Sequence, residues 1–277
     1  MTPPPGHTTS ARDVVWVTIS FDVAPSRGIV ARMSSLYPFR SVGPRARGVA
    51  RVVAILGVLV AINLTANLAG LDHREWVIPL SVLALVTVVK LRGMHWSELG
   101  LSVRHMPRGL AYGVAATVAV AVVVTAGCLI PLTSPFFLSE RYSDLRMAVF
   151  SALVLIPLMT VLPEEFAFRG VLQGALERTF GTRGVFVVGS VAFGLWHVTT
   201  SLGLTSGNAG LSDLLGTGLV GQLAGVALAV AATSVAGAAF IWVRRHSRSL
   251  LAPIGLHWAF NAVGALAAAL TWRAVAG

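Results

Sequence analysis

The sequence predicts an all-α, polytopic bundle of about seven membrane helices with a cytoplasmic N-terminus. Three observations carry this reading. Mean hydropathy is +0.78, and only 12% of residues are charged against 55% hydrophobic, whereas soluble domains carry roughly 25% charge. The apolar residues gather into seven runs, most of them near the roughly 20 residues a bilayer core requires. The loops between the runs alternate between rich and poor in basic residues, which is the signature of membrane topology. This composition excludes an ordinary soluble enzyme and a disordered chain. Cys128 is the only cysteine, so an internal disulfide and a CxxC metal framework are excluded too. The formal net charge of +10 is dispersed over short loops rather than massed on one face, which argues against a nucleic-acid partner.

Taken in order, residues 1–47 read as a polar tail with Pro3, Pro4 and Pro5 and no long apolar run. The tail has no signal-peptide pattern, and Met33 is an alternative start. Residues 48–277 form the membrane domain. Its candidate spans are 49–70, 76–91, 109–132, 146–176, 184–203, 219–243 and 250–272. The second is short and needs tilt or an extension into its flanks. The fourth, at 1.5 Å per residue, reaches roughly 46 Å and exceeds a core of about 30 Å, so it must tilt, bend or overhang; Pro157 and Pro163 permit a bend. The sixth is rich in Gly and Ala, which suits close packing inside a bundle. Basic loops at 90–108 (Lys90, Arg92, Arg104, Arg108), 177–183 (Arg178, Arg183) and 244–249 (Arg244, Arg245, Arg248) fall on the side of the tail. The alternate loops are poor in base, and 204–218 has none, so the C-terminus is expected outside. Trp76, Trp96, Trp242 and Trp272 sit near segment ends, as an aromatic belt does.

Few ionisable residues lie well inside an apolar run: Glu164, Glu165, Arg169, His197 and His257. A charge at a helix centre costs on the order of 3 kcal/mol, so such residues face a cavity or one another. Glu165 and Arg169 are four apart, with the acid first, and share a helix face. Glu164 is turned about 100° from Glu165, so one carboxylate can be neutralised while the other points elsewhere. Phe193 and His197 share a face, as do His257 and Asn261. Counting from the basic loops places Glu164 and His257 about 10 Å below that surface, where the set could converge. Each residue alone could simply brace helices. Together, a buried carboxylate with a neighbouring imidazole can activate a water, and a His–Asn pair can donate to a developing oxyanion. The reaction these parts suit is attack of water on an amide. No GxSxG or HExxH motif is present.

The ordered set Glu164-Glu165-xxx-Arg169, Phe193-xxx-His197 and His257-xxx-Asn261 resembles the CPBP family, the CAAX proteases and bacteriocin-processing enzymes also called the Abi or type II CAAX prenyl protease group. The resemblance spans about 145–265 and extends loosely over 96–132, where WSELGLSVR precedes the third span. It implies an intramembrane endopeptidase. Glu164 and His197 would activate water, and His257 and Asn261 would form the oxyanion site. Glu165, Arg169 and Phe193 would support them. The family has been described both as metallopeptidases and as glutamate-dependent. A Zn²⁺, if held, would take Glu164, His197 and His257, although the lack of a paired-His motif on one helix weighs against a tightly bound metal. The expected partners are a membrane-associated protein or peptide and the lipid bilayer. Twenty arginines against the single Lys90, with abundant Ala, Gly and Val, point to a GC-rich bacterial genome and an inner-membrane location. The principal alternative is a non-enzymatic membrane protein, such as a bacteriocin self-immunity or peptide-binding factor. A proton-relay transporter is a further alternative, against which stands the absence of repeated halves.

Overall fold

The computed structural model describes residues 43–276, and every regular element among them is helical. Most of the polar tail, including Met33, lies outside the described residues. Seven helices follow in order: α1 (Pro44–Leu68), α2 (Val77–Leu91), α3 (Met106–Leu129), α4 (Leu145–Trp196), α5 (Ala209–Leu215), α6 (Leu219–Ser247) and α7 (Leu251–Ala276). Five of them, α1, α3, α4, α6 and α7, are long and apolar enough to cross a membrane. The chain is therefore a multi-pass membrane protein.

All seven apolar runs are helical, but the correspondence is not one span to one helix. The second run gives α2, whose 15 residues are too few to span alone; the short turn Arg74–Trp76 extends it N-terminally. The fourth and fifth runs are both parts of α4, a continuous 52-residue stretch. Gly181 divides it, with φ 65° and ψ −164°, a conformation essentially reserved for glycine. The chain doubles back there. Phe168, before Gly181, meets Phe193, after it, edge to face at 5.2 Å, and Trp196 hydrogen-bonds Glu164. The two arms of α4 thus form a helical hairpin.

The first arm is not uniformly α-helical. Residues Ser151–Val161 and Phe166–Leu172 are π-helical, flanking the α-turn Leu162–Glu165. Pro157 has no N–H to donate to the carbonyl four residues back, so the ladder widens; the Leu162 N–H reaches the Pro157 carbonyl, five residues back. The bend expected from Pro157 and Pro163 therefore takes the form of widened helical turns around the paired acids. The 203–218 loop contains a short helix, α5, because the Asn208 side chain accepts from the Leu211 N–H at 3.0 Å and caps it.

Small residues set the helix contacts. A Cβ on Gly255 of α7 would stand 2.7 Å from the Gly113 Cα of α3, and Gly194 of α4 lies against Ser234 and Val230 of α6. The loop before α3 folds under the bundle end that carries Arg244. Leu99 is fully buried, and the Gly100 carbonyl accepts from the Leu250 N–H at 2.9 Å.

Candidate active site

Glu164 and Glu165 lie on the α-turn between the two π-helical stretches of α4, and both are buried. Their adjacent positions give them different neighbours. Glu165 turns inward to Arg169, whose Nη1 donates to Oε1 at 3.0 Å, the i,i+4 pairing that the spacing predicts. The same oxygen accepts from His257 Nδ1 at 2.8 Å. Glu164 turns the other way. Its Oε1 accepts from the Trp196 indole N–H at 3.1 Å. Its Oε2 has no hydrogen-bond partner among the described residues and stands 3.9 Å from both His197 Nε2 and His257 Nε2.

The tautomers follow from the acceptors. His197 Nδ1 lies 2.8 Å from the Phe193 carbonyl, which can only accept, so Nδ1 carries the proton and Nε2 is turned to Glu164. His257 Nδ1 faces the Glu165 carboxylate, so its Nε2 is likewise the nitrogen presented to Glu164. Two imidazoles, from the end of α4 and from α7, thus aim the same ring atom at one carboxylate oxygen. A gap of 3.9 Å is too long for a direct hydrogen bond and of a length that one bridging water serves.

An aromatic box fixes these groups. Phe193, 2% exposed, meets His197 at 4.8 Å and His257 at 5.8 Å between ring centroids, both edge-on. Phe240 of α6 stacks on His257 at 4.9 Å. The Arg169 guanidinium lies 3.9 Å from the Phe193 ring centroid and 4.6 Å from that of Phe240, so its charge is held by one carboxylate and two π-faces. The expectation that this acid–imidazole set converges is met for Glu164, Glu165, Arg169, Phe193, His197 and His257. Asn261 is half-buried one turn beyond His257; its amide donates to the His257 carbonyl at 3.2 Å rather than to either carboxylate.

Two further residues join the site. Trp196 is the donor that fixes Glu164, whereas Trp258 donates to the Ala152 carbonyl at 2.8 Å and ties α7 to α4 instead. Asn63 of α1 is buried, donates to the Trp196 carbonyl at 3.0 Å and accepts from the Thr199 hydroxyl at 2.8 Å. An amide inside the apolar run of α1 was the signal available for it.

Ligand atoms on tetrahedral zinc stand roughly 3.4 Å apart, given bonds of about 2.0–2.1 Å. Both imidazole nitrogens lie farther than that from Glu164 Oε2. Among the described residues no group of three or more His, Cys, Asp and Glu side chains is disposed to hold a metal ion. As placed, Glu164, His197 and His257 do not fit a tetrahedral zinc.

No curated protein and no solved structure matches the chain. Residues 146–263 match the family model described as Type II CAAX prenyl endopeptidase Rce1-like, and they contain the paired acids, Arg169, both histidines and Asn261. Over this stretch the chain is similar to the Rce1-like type II CAAX prenyl endopeptidase family, whose description is that of a peptidase.

Proposed function

We propose that the protein is an intramembrane endopeptidase that hydrolyses a peptide bond of a membrane-associated protein or peptide with a water held by Glu164. The observation that carries this reading is the shared aim of His197 Nε2 and His257 Nε2 at the otherwise unpartnered Glu164 Oε2, 3.9 Å from each.

In the proposed reaction a water donates to Glu164 Oε2 and to the lone pair of His197 Nε2. As its oxygen attacks the scissile carbonyl carbon, its proton passes to Glu164. The tetrahedral oxyanion forms against His257 Nε2, which donates to it when that nitrogen carries a proton. Asn261, one turn along α7, turns its amide from the His257 carbonyl to give a second donor. Glu164 then returns the proton to the leaving nitrogen, the C–N bond breaks, and a carboxyl and an amine leave. Glu165 and Arg169 hold His257 in register and do not touch the substrate. No step runs through a metal.

The basic loops support an orientation with the N-terminus in the cytoplasm, and the composition supports a bacterial inner membrane. The test of the activity is reconstitution in lipid with a peptide library, comparing the parent chain with Glu164→Gln and His197→Ala. Both variants should fold and lose about 10²–10⁴-fold in cleavage. Parent-like turnover by either would remove the mechanism.

A further inference from the structure

At the bundle end carrying the basic loops, a cavity of about 330 Å³ opens beside the acid–imidazole cluster, with Arg169 in its lining. Its lining contains four guanidinium groups, of Arg169, Arg244, Arg245 and Arg248, against the two carboxylates of Glu98 and Glu177. Both carboxylates are already engaged. Glu98 pairs with Arg178 at 2.5 Å, and Glu177 pairs with Arg245. Arg244 and Arg248 have no carboxylate within ion-pair distance among the described residues.

The inner wall is built rather than incidental. Arg244 is 9% exposed, and its Nη2 donates to the Glu98 backbone carbonyl at 3.3 Å. The loop backbone at Gly100, φ +86°, lies so close that a Cβ there would come within 2.5 Å of the Arg244 guanidinium. Arg244 is therefore clamped, yet its Nε has no partner. Arg169, 1% exposed, spends Nη1 on Glu165 and leaves Nη2 unpartnered. Gln173, 7% exposed, has an unpartnered amide oxygen, and a turn of that amide presents its NH₂ instead. Buried donors left without acceptors are costly, and two of them, Arg169 Nη2 and Arg244 Nε, line one cavity with two cations short of counter-charge.

We infer that this cavity is a phosphate-binding site, built to take a phosphomonoester or phosphodiester oxyanion between Arg244, Arg248 and the free edge of Arg169. Several guanidinium forks converging from different directions suit an anion with oxygens on several faces. The site lies among the basic loop residues, at the level where lipid headgroups meet a membrane protein. The phosphate therefore comes from an anionic lipid headgroup or from free phosphate. Binding does not depend on the proposed peptidase activity and is read without it.

The full chain, purified in a neutral maltoside detergent at low ionic strength, is titrated separately with short-chain phosphatidylglycerol, inorganic phosphate and a tripeptide with a free C-terminal carboxylate. Bound stoichiometry is read by native mass spectrometry, and stabilisation by the midpoint of thermal unfolding. The expected result is saturable, one-to-one binding of a phosphate-bearing probe with a rising midpoint. Arg244→Gln and Arg248→Gln should each weaken it about tenfold or more. Arg248 is exposed, so its variant keeps the test valid even where Arg244→Gln folds poorly. Saturation by phosphatidylglycerol at lower concentration than by phosphate supports a headgroup site, and the reverse order supports a free-phosphate site. Tighter binding of the tripeptide than of either phosphate probe overturns the assignment. So does the absence of saturable binding, or affinity unchanged in Arg248→Gln.

Discussion

Trp196 donates its indole N–H to Glu164 Oε1 at 3.1 Å, which commits one carboxylate oxygen and leaves the other to the two imidazoles. Without that donor the carboxylate could rotate, and neither oxygen would be fixed relative to His197 and His257. Trp196 is itself held from behind, since the Asn63 amide donates to its carbonyl at 3.0 Å. The base of the proposed reaction is thus positioned by a chain that runs from α1 through the second arm of α4.

Trp196→Phe keeps the ring and deletes the donor. A hydrogen bond to a charged group contributes about 1.5–3 kcal/mol. If that bond orients the base in the transition state, kcat should fall on the order of tenfold or more, with KM little changed. Phe at this position still packs against Phe168, so the unfolding midpoint should shift only slightly. A parallel loss of kcat and folding would mean that Trp196 is packing alone. The check is steady-state kinetics beside thermal unfolding of the same preparation.

The paired acids separate by role in how they should respond to mutation. Arg169→Met leaves Glu165 buried with His257 as its sole remaining partner, and breaking a buried ion pair costs about 3–5 kcal/mol. The double variant Glu165→Gln with Arg169→Met removes both charges and should recover part of that loss. A double-mutant cycle in chemical unfolding should give a coupling of roughly 1–3 kcal/mol. Glu164→Gln has no such partner to strand. Activity, rather than stability, should carry its effect.

Much of this was legible in the sequence, for physical reasons. Glu164, Glu165, Arg169, His197 and His257 stand out because lipid makes an ionisable group expensive. The 3.6-residue period alone pairs Glu165 with Arg169. The long fourth run and its prolines gave warning of irregular helix, which is realised as π-turns around the acids. What periodicity does not reveal is contact across the chain. That Trp196 reaches Glu164, while the equally placed Trp258 reaches the Ala152 carbonyl, depends on the hairpin at Gly181. The direction of the Asn261 amide, onto the His257 carbonyl one turn back at 3.2 Å, is likewise not given by residue spacing. Span counting separates the two arms of α4 as 146–176 and 184–203, but length and hydropathy do not show that the join between them is a one-residue reversal at Gly181.

Metal removal addresses the donor set directly. With both imidazole nitrogens 3.9 Å from Glu164 Oε2, tetrahedral zinc coordination would require the helix ends to close inward. Peptidase activity should survive exhaustive dialysis against a chelator and should not rise when zinc is restored. Activity that is lost to chelator and returned by zinc would show that the three side chains do move together around an ion.

Gly181 supports the last prediction. Its φ of 65° with ψ −164° is a conformation open to glycine, and a Cβ built there meets nothing within 4 Å. A substitution therefore acts through backbone strain and not through collision. Gly181→Ala should cost about 1–3 kcal/mol of stability, measured by unfolding in detergent. If the reversal relaxes under that strain, the second arm of α4 moves, and it carries Phe193, Trp196 and His197 with it. Activity should then fall by more than the folded fraction does, although Gly181 lies far along the helix from Glu164. A bulkier Gly181→Val adds β-branching at the same positive φ and should lower both quantities further. An alanine variant with parent-like stability and turnover would show that the hairpin is held by packing between its arms rather than by the turn.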